Sequence, residues 1–253
     1  MSSGREDVSA LRAEGLSGGY PGVLALNEVS FTLGQRRICA LVGANGSGKS
    51  TLFNTLLGLR PPLAGRAEIF GQSPSRARRR NLVSYVPQHD QIDPTFPITV
   101  SEVVMMGRYG HMGMTRRAKD TDRSACERAL EQVGLTELRS RTVGELSGGQ
   151  RRRAFLARSI AQQAPLMLLD EPFAGVDRSS EQVITEALHR LRDAGTTLLV
   201  STHHLEGVGA LADEVILLHG RILASGLPED VLTERQLGQA FGTLLTERGR
   251  AER

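Results

Sequence analysis

The sequence predicts an α/β fold with a helical subdomain inserted into it. Strand and helix patterns alternate at both ends of the 253-residue chain, and the stretch between them repeats its apolar residues with a helical period. A glycine-rich loop, Gly43 to Ser50, stands between an apolar strand pattern and an amphipathic helix pattern. The length allows one large domain or two small ones, and a hydrophobic content of 40% supports a sizeable core.

Three strand patterns and one helix pattern occupy the N-terminal third. The helix is predicted over residues 49–59, because it carries leucines and a phenylalanine on one face and Pro61-Pro62 stops it. The strand patterns are either apolar or alternating, and Pro87 closes the last of them. They cover residues 23–32, 37–42 and 81–86.

The middle of the chain, from Thr99 to about Gln163, changes to a period of 3.6 residues and is predicted to be mostly helical. Pro165 ends this block. The apolar residues 166–169 then predict a buried strand, which leads directly into Asp170-Glu171.

The C-terminal part returns to alternating helix and strand patterns. A capping box at Ser179-Ser180-Glu181-Gln182 predicts the start of a helix that Gly195 ends. A β-branched strand is predicted over residues 196–201, and apolar runs on both sides of His219-Gly220 predict a hairpin. The charged tail from about Arg235 is predicted to be partly disordered.

Composition argues against several classes of protein. The apolar runs fall short of the roughly 18 residues that span a bilayer, so membrane contact is expected only through a partner. The first 14 residues lack the apolar core of a signal peptide, and we expect no export. Cys39 and Cys126 lack the spacing of a metal site or disulfide framework. Nucleic-acid binding is not expected, because the net charge is only +3 and the arginine runs lack interleaved aromatic residues.

The glycine-rich loop matches the pattern G-x-x-x-x-G-K-[ST], whose backbone N–H groups wrap the phosphates of a nucleotide. The strand before it and the helix after it supply the structural context that the pattern requires. Lys49 is expected to neutralise phosphate oxygens, and Ser50 to bind Mg²⁺. The predicted phosphate-binding residues are Gly43, Asn45, Gly46, Ser47, Gly48, Lys49, Ser50 and Thr51.

A second turn of small residues, Ser147-Gly148-Gly149-Gln150, follows Leu146 and opens a helix pattern. Free N–H groups and the positive end of the helix dipole at such a turn also suit an anion. Because one nucleotide requires only one cradle, this second turn raises the question of which phosphate it serves.

Asp170 and Glu171 end an apolar strand, where buried acids require a cation or hydrogen-bond donors. Mg²⁺ would supply the cation. Asp170 is therefore predicted to hold the metal, through water, and Glu171 to polarise a water aimed at a γ-phosphate. The alternative is a strand end with two solvated acids.

Six segments, in this order and spacing, resemble those of an ATP-binding cassette (ABC) ATPase. They are the glycine-rich loop, Tyr85-Val86-Pro87-Gln88, Leu146 to Gln150, Asp170-Glu171-Pro172, Gly175-Val176-Asp177 and Ser201-Thr202-His203. The resemblance covers residues 16–226 and implies a P-loop NTPase (RecA-like) core with an N-terminal antiparallel β subdomain and an inserted α-helical subdomain. The implied bounds are about 16–88 and 164–226 for the core, about 89–163 for the helical subdomain, and 227–253 for a C-terminal extension.

The resemblance also implies roles for single side chains. Tyr20 would stack on adenine, Gln88 would contact Mg²⁺ and the attacking water, and His203 would contact the γ-phosphate. Asp177 would belong to the loop that communicates across a dimer. Tyr20 could instead be an ordinary turn aromatic, and His204 stands where the family often has an acid, which leaves open which imidazole points inward.

The resemblance answers the question raised by the second turn. In ABC ATPases this segment caps the nucleotide held by the other subunit, so Ser147, Gly148, Gly149 and Gln150 would bind the γ-phosphate in trans. The working unit would be a homodimer that binds two ATP with Mg²⁺.

Residues 88–113 and the segment Glu171 to Asp177 resemble the ATPases of manganese, zinc and iron importers. This implies that residues 88–113 receive a cytoplasmic helix of an integral membrane permease, which places the chain at the cytoplasmic face of the membrane. An extracellular solute-binding protein would act through the permease. His89, Asp90, Asp93 and His111 could be a metal site, but histidines in a partner-facing loop are more typical of an interface.

Two other functions stay open from the sequence alone. The chain could serve another ABC transporter, such as a siderophore importer or an exporter. It could also be a cytosolic ABC ATPase without a membrane partner, although such proteins usually carry two cassettes or long coiled-coil insertions. This sequence has one phosphate loop and no heptad run.

Overall fold

The computed structural model describes residues 9–88, 96–114 and 116–242 of the chain. Within these residues, strands in two sheets and helices packed on them form an α/β fold of the predicted class. The strands are β1 (Leu11–Tyr20), β2 (Val23–Leu33), β3 (Ile38–Val42), β4 (Ala64–Ile69), β5 (Val83–Val86), β6 (Leu166–Asp170), β7 (Thr197–Thr202), β8 (Glu214–His219) and β9 (Arg221–Gly226). The α-helices are α1 (Lys49–Leu56), α2 (Pro74–Arg79), α3 (Val100–Met106), α4 (Asp120–Gln132), α5 (Gly148–Ala161), α6 (Arg178–Asp193), α7 (Val208–Leu211), α8 (Pro228–Val231) and α9 (Glu234–Phe241).

The smaller sheet is antiparallel and has the strand order β2-β1-β4 in the described residues. Its buried face shares one hydrophobic cluster with α1, to which Leu11, Leu16 and Ile69 of the sheet and Leu52 and Phe53 of the helix belong. This sheet therefore packs directly beside the helix that follows the glycine-rich loop.

The larger sheet has the strand order β5-β6-β7-β3-β8-β9 in the described part of the chain. Neighbours from β5 to β8 pair in parallel, whereas β8 and β9 form the predicted antiparallel hairpin. The carboxyl ends of parallel strands lie at one edge of a sheet, where ligands of open α/β sheets bind. The segments that follow β3, β5, β6 and β7 therefore meet at this edge.

Helices α3, α4 and α5 lie between β5 and β6 in the chain, as the helical period predicts. They share a hydrophobic cluster with the larger sheet, so the helical block and the sheet have one continuous core. A buried ion pair joins the segment after α3 to α4, since Nε of Arg108 lies 3.0 Å from Oδ1 of Asp122. Arg108 Nη1 also donates to the carbonyl of Ala161 at the end of α5, at 2.9 Å.

Two predicted element boundaries are wrong. Helix α1 ends at Leu56, because Gly58 adopts a φ of +64° and closes the helix before the prolines are reached. The Gly58 N–H donates to the Thr55 carbonyl at 2.9 Å, and the Leu59 N–H to the Asn54 carbonyl at 2.9 Å, which is the hydrogen-bond pattern of a Schellman motif. Strand β5 begins at Val83 because Asn81 has a φ of +55°, which an extended chain does not allow.

The start of α6 is also corrected. Its N-cap is Asp177 and not Ser179, since the Asp177 carboxylate accepts a hydrogen bond from the Ser180 N–H at 2.9 Å. Part of the predicted tail is helical, as α9 shows, and residues 243–253 lie outside the described residues. None of the helices in the described ranges combines the length and apolar composition needed to cross a bilayer.

Candidate functional site

The glycine-rich loop links β3 to α1 and requires glycine at several of its positions. Gly46 and Gly48 have φ values of +80° and +102°, in the left-handed region that side chains disfavour. A Cβ on Gly48 would lie 2.6 Å from the carbonyl oxygen of Ala25, and one on Gly43 would overlap the carbonyl of Leu218. A side chain at Gly43 or Gly48 would therefore collide with neighbouring backbone, and the absence of side chains at the glycines lets an anion approach the loop backbone closely.

Lys49 lies at the first position of α1 and is buried at the centre of this loop. Its Nζ donates to the carbonyls of Gly43 at 2.7 Å and Ala44 at 3.2 Å, and lies 3.5 Å from Oε1 of Glu171. Burial lowers the pKa of Lys49, and the nearby Glu171 carboxylate opposes that change. The buried hydroxyl of Ser47 has no hydrogen-bond partner within the described residues, as expected for a cradle that holds an oxygen-rich ligand.

Asp170 ends β6 and is buried, but its carboxylate has hydrogen-bond donors. Ser201 Oγ in β7 donates to Oδ1 at 2.5 Å, and Tyr85 OH in β5 donates to Oδ2 at 3.4 Å. Burial, together with the charge of Asp170, raises the pKa of Tyr85, so its phenol keeps its proton. These contacts fix the orientation of the Asp170 side chain, and its burial contradicts the alternative of a solvated acid.

Glu171 is buried between two of the other predicted catalytic residues. Its Oε1 lies 3.5 Å from Lys49 Nζ, and its Oε2 lies 2.9 Å from Nδ1 of His203. The His203 N–H donates to Oε2 at 3.4 Å, whereas Nδ1 makes a close polar contact without hydrogen-bond alignment. The structure thus brings Glu171, Lys49 and His203 together at the carboxyl edge of the sheet.

The geometry distinguishes the two neighbouring histidines. His203 faces Glu171, while the ring of His204 contacts that of His203 at a tilt of 40°, with centroids 4.1 Å apart. The His204 N–H donates to Thr202 Oγ1 at 3.0 Å and extends the turn after β7. His203 is therefore the imidazole that reaches the site.

Gln88 lies two residues after β5, and the segment that it begins is partly outside the described residues. Its backbone carbonyl accepts a hydrogen bond from Nη1 of Arg152 at 2.7 Å. His89, Asp90 and Asp93 also lie outside the described residues. Nε2 of His111, the remaining member of the alternative metal site, lies 2.8 Å from the carbonyl of Gln162.

Tyr20 ends β1 beside the start of α1 and is 47% exposed. The guanidinium carbon of Arg60 lies 4.1 Å from the centre of its ring, and Arg60 Nη1 donates to the Gly19 carbonyl at 2.9 Å. A Cβ on Gly18 would lie 3.8 Å from Cγ2 of Thr51, which places this strand end next to the first turn of α1. An exposed aromatic ring near the glycine-rich loop suits stacking on a base, and Arg60 orients that ring.

The second turn opens α5, as predicted, and Ser147 is its N-cap. Ser147 Oγ accepts from the Gln150 N–H at 3.3 Å, and Gln150 Oε1 accepts from the Ser147 N–H at 3.0 Å. A Cβ on Gly149 would lie 2.9 Å from Oδ2 of Asp177, so the turn packs against the start of α6. Hydrogen bonds from Ser180 and Ser179 lower the pKa of Asp177 to about 2. No hydrogen bond joins this turn to the glycine-rich loop within the described part of the chain.

The donor set at the sheet edge fits Mg²⁺. Ser50 and Gln88 offer neutral oxygens, and Asp170 offers a carboxylate that is already oriented, which are the ligands that this hard cation prefers. Among the described residues no group of three or more His, Cys, Asp or Glu side chains could hold a metal by itself. Where Mg²⁺ binds together with a nucleotide, phosphates and water complete its shell.

Sequence reasoning missed three residues that organise the site. Arg152 belongs to a run of arginines that the sequence suggests only as a charged surface, yet it is buried. Ser201 and Tyr85 belong to two of the six segments that carry the family resemblance. Their contacts with Asp170 depend on the order of the strands in the sheet, which cannot be read from the sequence. The contacts become apparent only when β5, β6 and β7 are known to be neighbours in the sheet.

Comparisons with known proteins agree with this geometry. Residues 26–174 match the ABC transporter family. The chelated iron transport system membrane protein YfeB of Yersinia pestis is 49% identical over 224 residues, covering 88% of this chain and 76% of that protein. The manganese transport system ATP-binding protein MntA of Synechocystis sp. is 47% identical, covering 87% and 85%. The zinc transport system ATP-binding protein TroB of Treponema pallidum is 40% identical, covering 92% and 87%.

Solved structures show the same similarity. An ABC transporter in an inward-facing conformation superposes with a TM-score of 0.81 at 31% identity, covering 92% of this chain and 89% of the solved one. An ATP-binding subunit of an ABC transporter superposes with a TM-score of 0.78 at 25% identity, covering 97% and 100%.

Proposed function

Because this chain belongs to the ABC transporter family, as the subunit that hydrolyses ATP, we propose that it energises the import of a divalent metal ion. Such a subunit works in a complex with a membrane permease. The relatives named for chelated iron, manganese and zinc transport support this substrate class. Their names differ in the metal, so the proposal concerns the class of cation and not one element.

The position of Glu171 carries the proposed chemistry. A buried carboxylate between Lys49 and His203, at the mouth of a phosphate loop, suits a general base for water. Glu171 accepts a proton from the water that attacks the γ-phosphate in line, and Lys49 neutralises the charge on the transferred group. His203 holds the geometry before transfer, since its backbone N–H already donates to Glu171.

Ser50, Gln88 and Asp170 would hold Mg²⁺, which offsets phosphate charge when it is bound. The chain contributes the orientation of these ligands. Ser201 and Tyr85 donate to the two oxygens of Asp170, so the carboxylate is positioned before the nucleotide arrives.

The second turn would complete the site from another copy of the chain. Ser147 Oγ accepts a hydrogen bond inside its own helix, which leaves its proton for a γ-phosphate oxygen. The positive end of the α5 dipole lies at this turn and would face the same phosphate. It is formed by the first N–H groups of the helix, including those of Gly148, Gly149 and Gln150. Asp177 lies beside this turn and would face the same partner.

A groove between the core and the helical block supports the proposed permease contact near residues 88–113. It encloses about 410 Å³, and its lining includes Leu57, Arg78 and Asn81 from the core and Met106 and Arg158 from the helical block. A cytoplasmic helix of a permease is a suitable occupant, which would hold the chain at the cytoplasmic face of the membrane. An extracellular solute-binding protein would deliver the ion to the permease.

Replacing Glu171 with Gln tests the general base. We expect ATP binding to persist while kcat falls by about 10²–10⁴-fold, because the amide cannot accept the proton. Size-exclusion chromatography with ATP should then show a stable closed dimer. The control is Glu186→Gln on the exposed face of α6, which should keep the wild-type rate. Full turnover in the Glu171 variant would contradict its assignment as the base.

The metal substrate requires a transport measurement. The chain, assembled with its permease in lipid vesicles, should accumulate Mn²⁺, Zn²⁺ or Fe²⁺ in a manner that depends on ATP and on Glu171. Transport of another solute class, with no accumulation of any divalent metal, would reject the import proposal while leaving the ATPase assignment intact.

A further inference from the structure

Arg152 lies in the first half of α5, and its side chain crosses from the helical block to the core. It is 5% exposed. Its Nη1 donates to the carbonyls of Pro87 at 2.8 Å and Gln88 at 2.7 Å. Arg152 therefore holds the backbone just where the segment after β5 begins.

The same guanidinium holds the backbone after β6. Its Nη2 donates to the carbonyl of Asp170 at 3.4 Å and to that of Glu171, and its Nε donates to the carbonyl of Pro172 at 3.2 Å. Strands β5 and β6 pair in parallel, so their carboxyl ends are adjacent. One planar side chain therefore joins the two segments that carry the proposed water-contacting residue and the proposed base.

The backbone of Glu171 needs such support. Its φ of +50° lies in the left-handed region, which a non-glycine residue adopts only where its surroundings impose it. Its N–H donates to the carbonyl oxygen of Ser201 at 3.2 Å and to Oγ of Ser201 at 3.1 Å. Arg152 holds the carbonyl at the other end of the same residue. The backbone N–H of Glu171 is thus hydrogen-bonded to the sheet, and its carbonyl is hydrogen-bonded to Arg152 of α5.

The two adjacent arginines of α5 make different contacts. Arg151 Nη2 donates to the Leu146 carbonyl at 3.5 Å, close to the start of its own helix. Arg153 Nη1 donates to the Val133 carbonyl at the end of α4, at 2.9 Å, and so stays inside the helical block. Among these three arginines, Arg152 is the one whose side chain reaches the strand ends of the core.

We propose that Arg152 is a positioning residue for ATP hydrolysis, which couples the placement of α5 to the placement of Glu171 and Gln88. Helix α5 begins with the turn that would cap the partner's nucleotide. With α5 packed against the strand ends, Arg152 fixes the carbonyl groups of Gln88 and Glu171. This orients the proposed base and the residue proposed to contact the attacking water. This inference rests on the proposed role of Glu171 as the base.

The test compares Arg152→Met, which keeps an unbranched apolar stem but has no donor, with Arg151→Met as a matched control. The purified full-length chain is assayed with MgATP, well below the lowest melting temperature of the set. For Arg152→Met we expect kcat to fall on the order of 10- to 100-fold, because small displacements of a reacting group have effects of that size. KM, and the Kd for a fluorescent ATP analogue, should stay within about twofold. The Arg151 variant should keep the wild-type kcat.

Arg152→Lys should give an intermediate kcat, because an ammonium can donate three of these hydrogen bonds. If Arg152→Met yields no folded protein, Arg152→Lys against Arg151→Lys carries the test, and a lower kcat is expected in the former alone. A wild-type kcat in the Arg152 variant that folds would overturn the proposal.

A double variant separates positioning from general stability. In single-turnover measurements, Arg152→Met should slow the Glu171→Gln variant much less than it slows the wild-type chain, because part of its effect passes through Glu171. Independent, multiplying losses would overturn the proposal. An active Glu171→Gln variant would instead reject the base assignment, whatever the Arg152 variants do.

Discussion

Ser201 connects both acids of the site to the sheet from a fully buried position. Its Oγ donates to Asp170 at 2.5 Å and accepts the N–H of Glu171 at 3.1 Å. A single hydroxyl therefore orients the proposed magnesium ligand and the backbone of the proposed base. Ser201 belongs to a segment that carries the family resemblance, but nothing in the sequence indicates that its hydroxyl contacts both acids.

Ser201→Ala should leave the Asp170 carboxylate short of a donor in a buried place. Losing a partner of a buried polar group costs about 1–3 kcal/mol, and the variant should also need more Mg²⁺ for half-maximal ATPase activity. Ser159→Ala is the matched control, since this buried hydroxyl donates to the Tyr85 carbonyl at 3.2 Å and not to the acids. It should lower the melting temperature without changing the Mg²⁺ dependence. An equal Mg²⁺ dependence in both variants would argue against the orienting role of Ser201.

At the scale of the element, the start of α5 packs against the start of α6 without room for a side chain on one of its glycines. A Cβ on Gly149 would overlap Ser180 Oγ and lie 2.9 Å from Oδ2 of Asp177. A Cβ on Gly148 would meet only the Gly175 carbonyl at 3.9 Å, an ordinary contact. A side chain would therefore collide with α6 at position 149 but would fit at position 148.

Gly149→Ala should push α5 away from α6 and lower the melting temperature, with a loss of about 1–3 kcal/mol typical of overpacking. Gly148→Ala should keep or raise the melting temperature, because alanine favours a helix more than glycine does. Thermal unfolding followed by circular dichroism measures both. Equal melting temperatures in the two variants would show that α5 can move away from α6 without a loss of stability.

The sequence predicts helices and buried strands of this fold better than it predicts their ends and partners. Strand β1 was not predicted, because it contains three glycines and has register shifts against β2, which weaken the alternation of a strand. The N-cap of α6 was misplaced because Ser179-Ser180 satisfies the capping pattern as well as Asp177 does. Only the observed hydrogen bond to the Ser180 N–H distinguishes them.

For the whole molecule, the glycine-rich loop and the second turn are predicted to act in different sites. Lys49 and Ser147 of one chain would each serve a different nucleotide, because the turn would cap the ATP of the other subunit. A dimer built this way has two composite sites, each made from both copies.

Mixing Lys49→Ala and Ser147→Ala chains tests this arrangement. Each variant alone should have almost no ATPase activity, whereas a mixed dimer should regain one intact site out of two. The measurement is ATPase activity across mixing ratios, with the optimum expected near equal amounts. No recovery at any ratio would indicate that both residues serve the same nucleotide within one chain.

At this scale the sequence resemblance was the stronger guide, and the family and fold that it implied are confirmed. It could not indicate which groups orient the acids, because those contacts join residues far apart in the chain. Arg152 and Glu171 are an example, since a helix and a strand must first pack together before their contact exists.

The left-handed backbone of Glu171 carries a consequence for how this protein can change over time. A conformation of this kind costs of order 1–3 kcal/mol and persists where the surrounding structure imposes it. Selection for thermal robustness alone would favour glycine here, and would thereby remove the carboxylate. If Glu171 is the base, the protein retains a local cost in stability at this residue, and stabilising substitutions are expected at other positions.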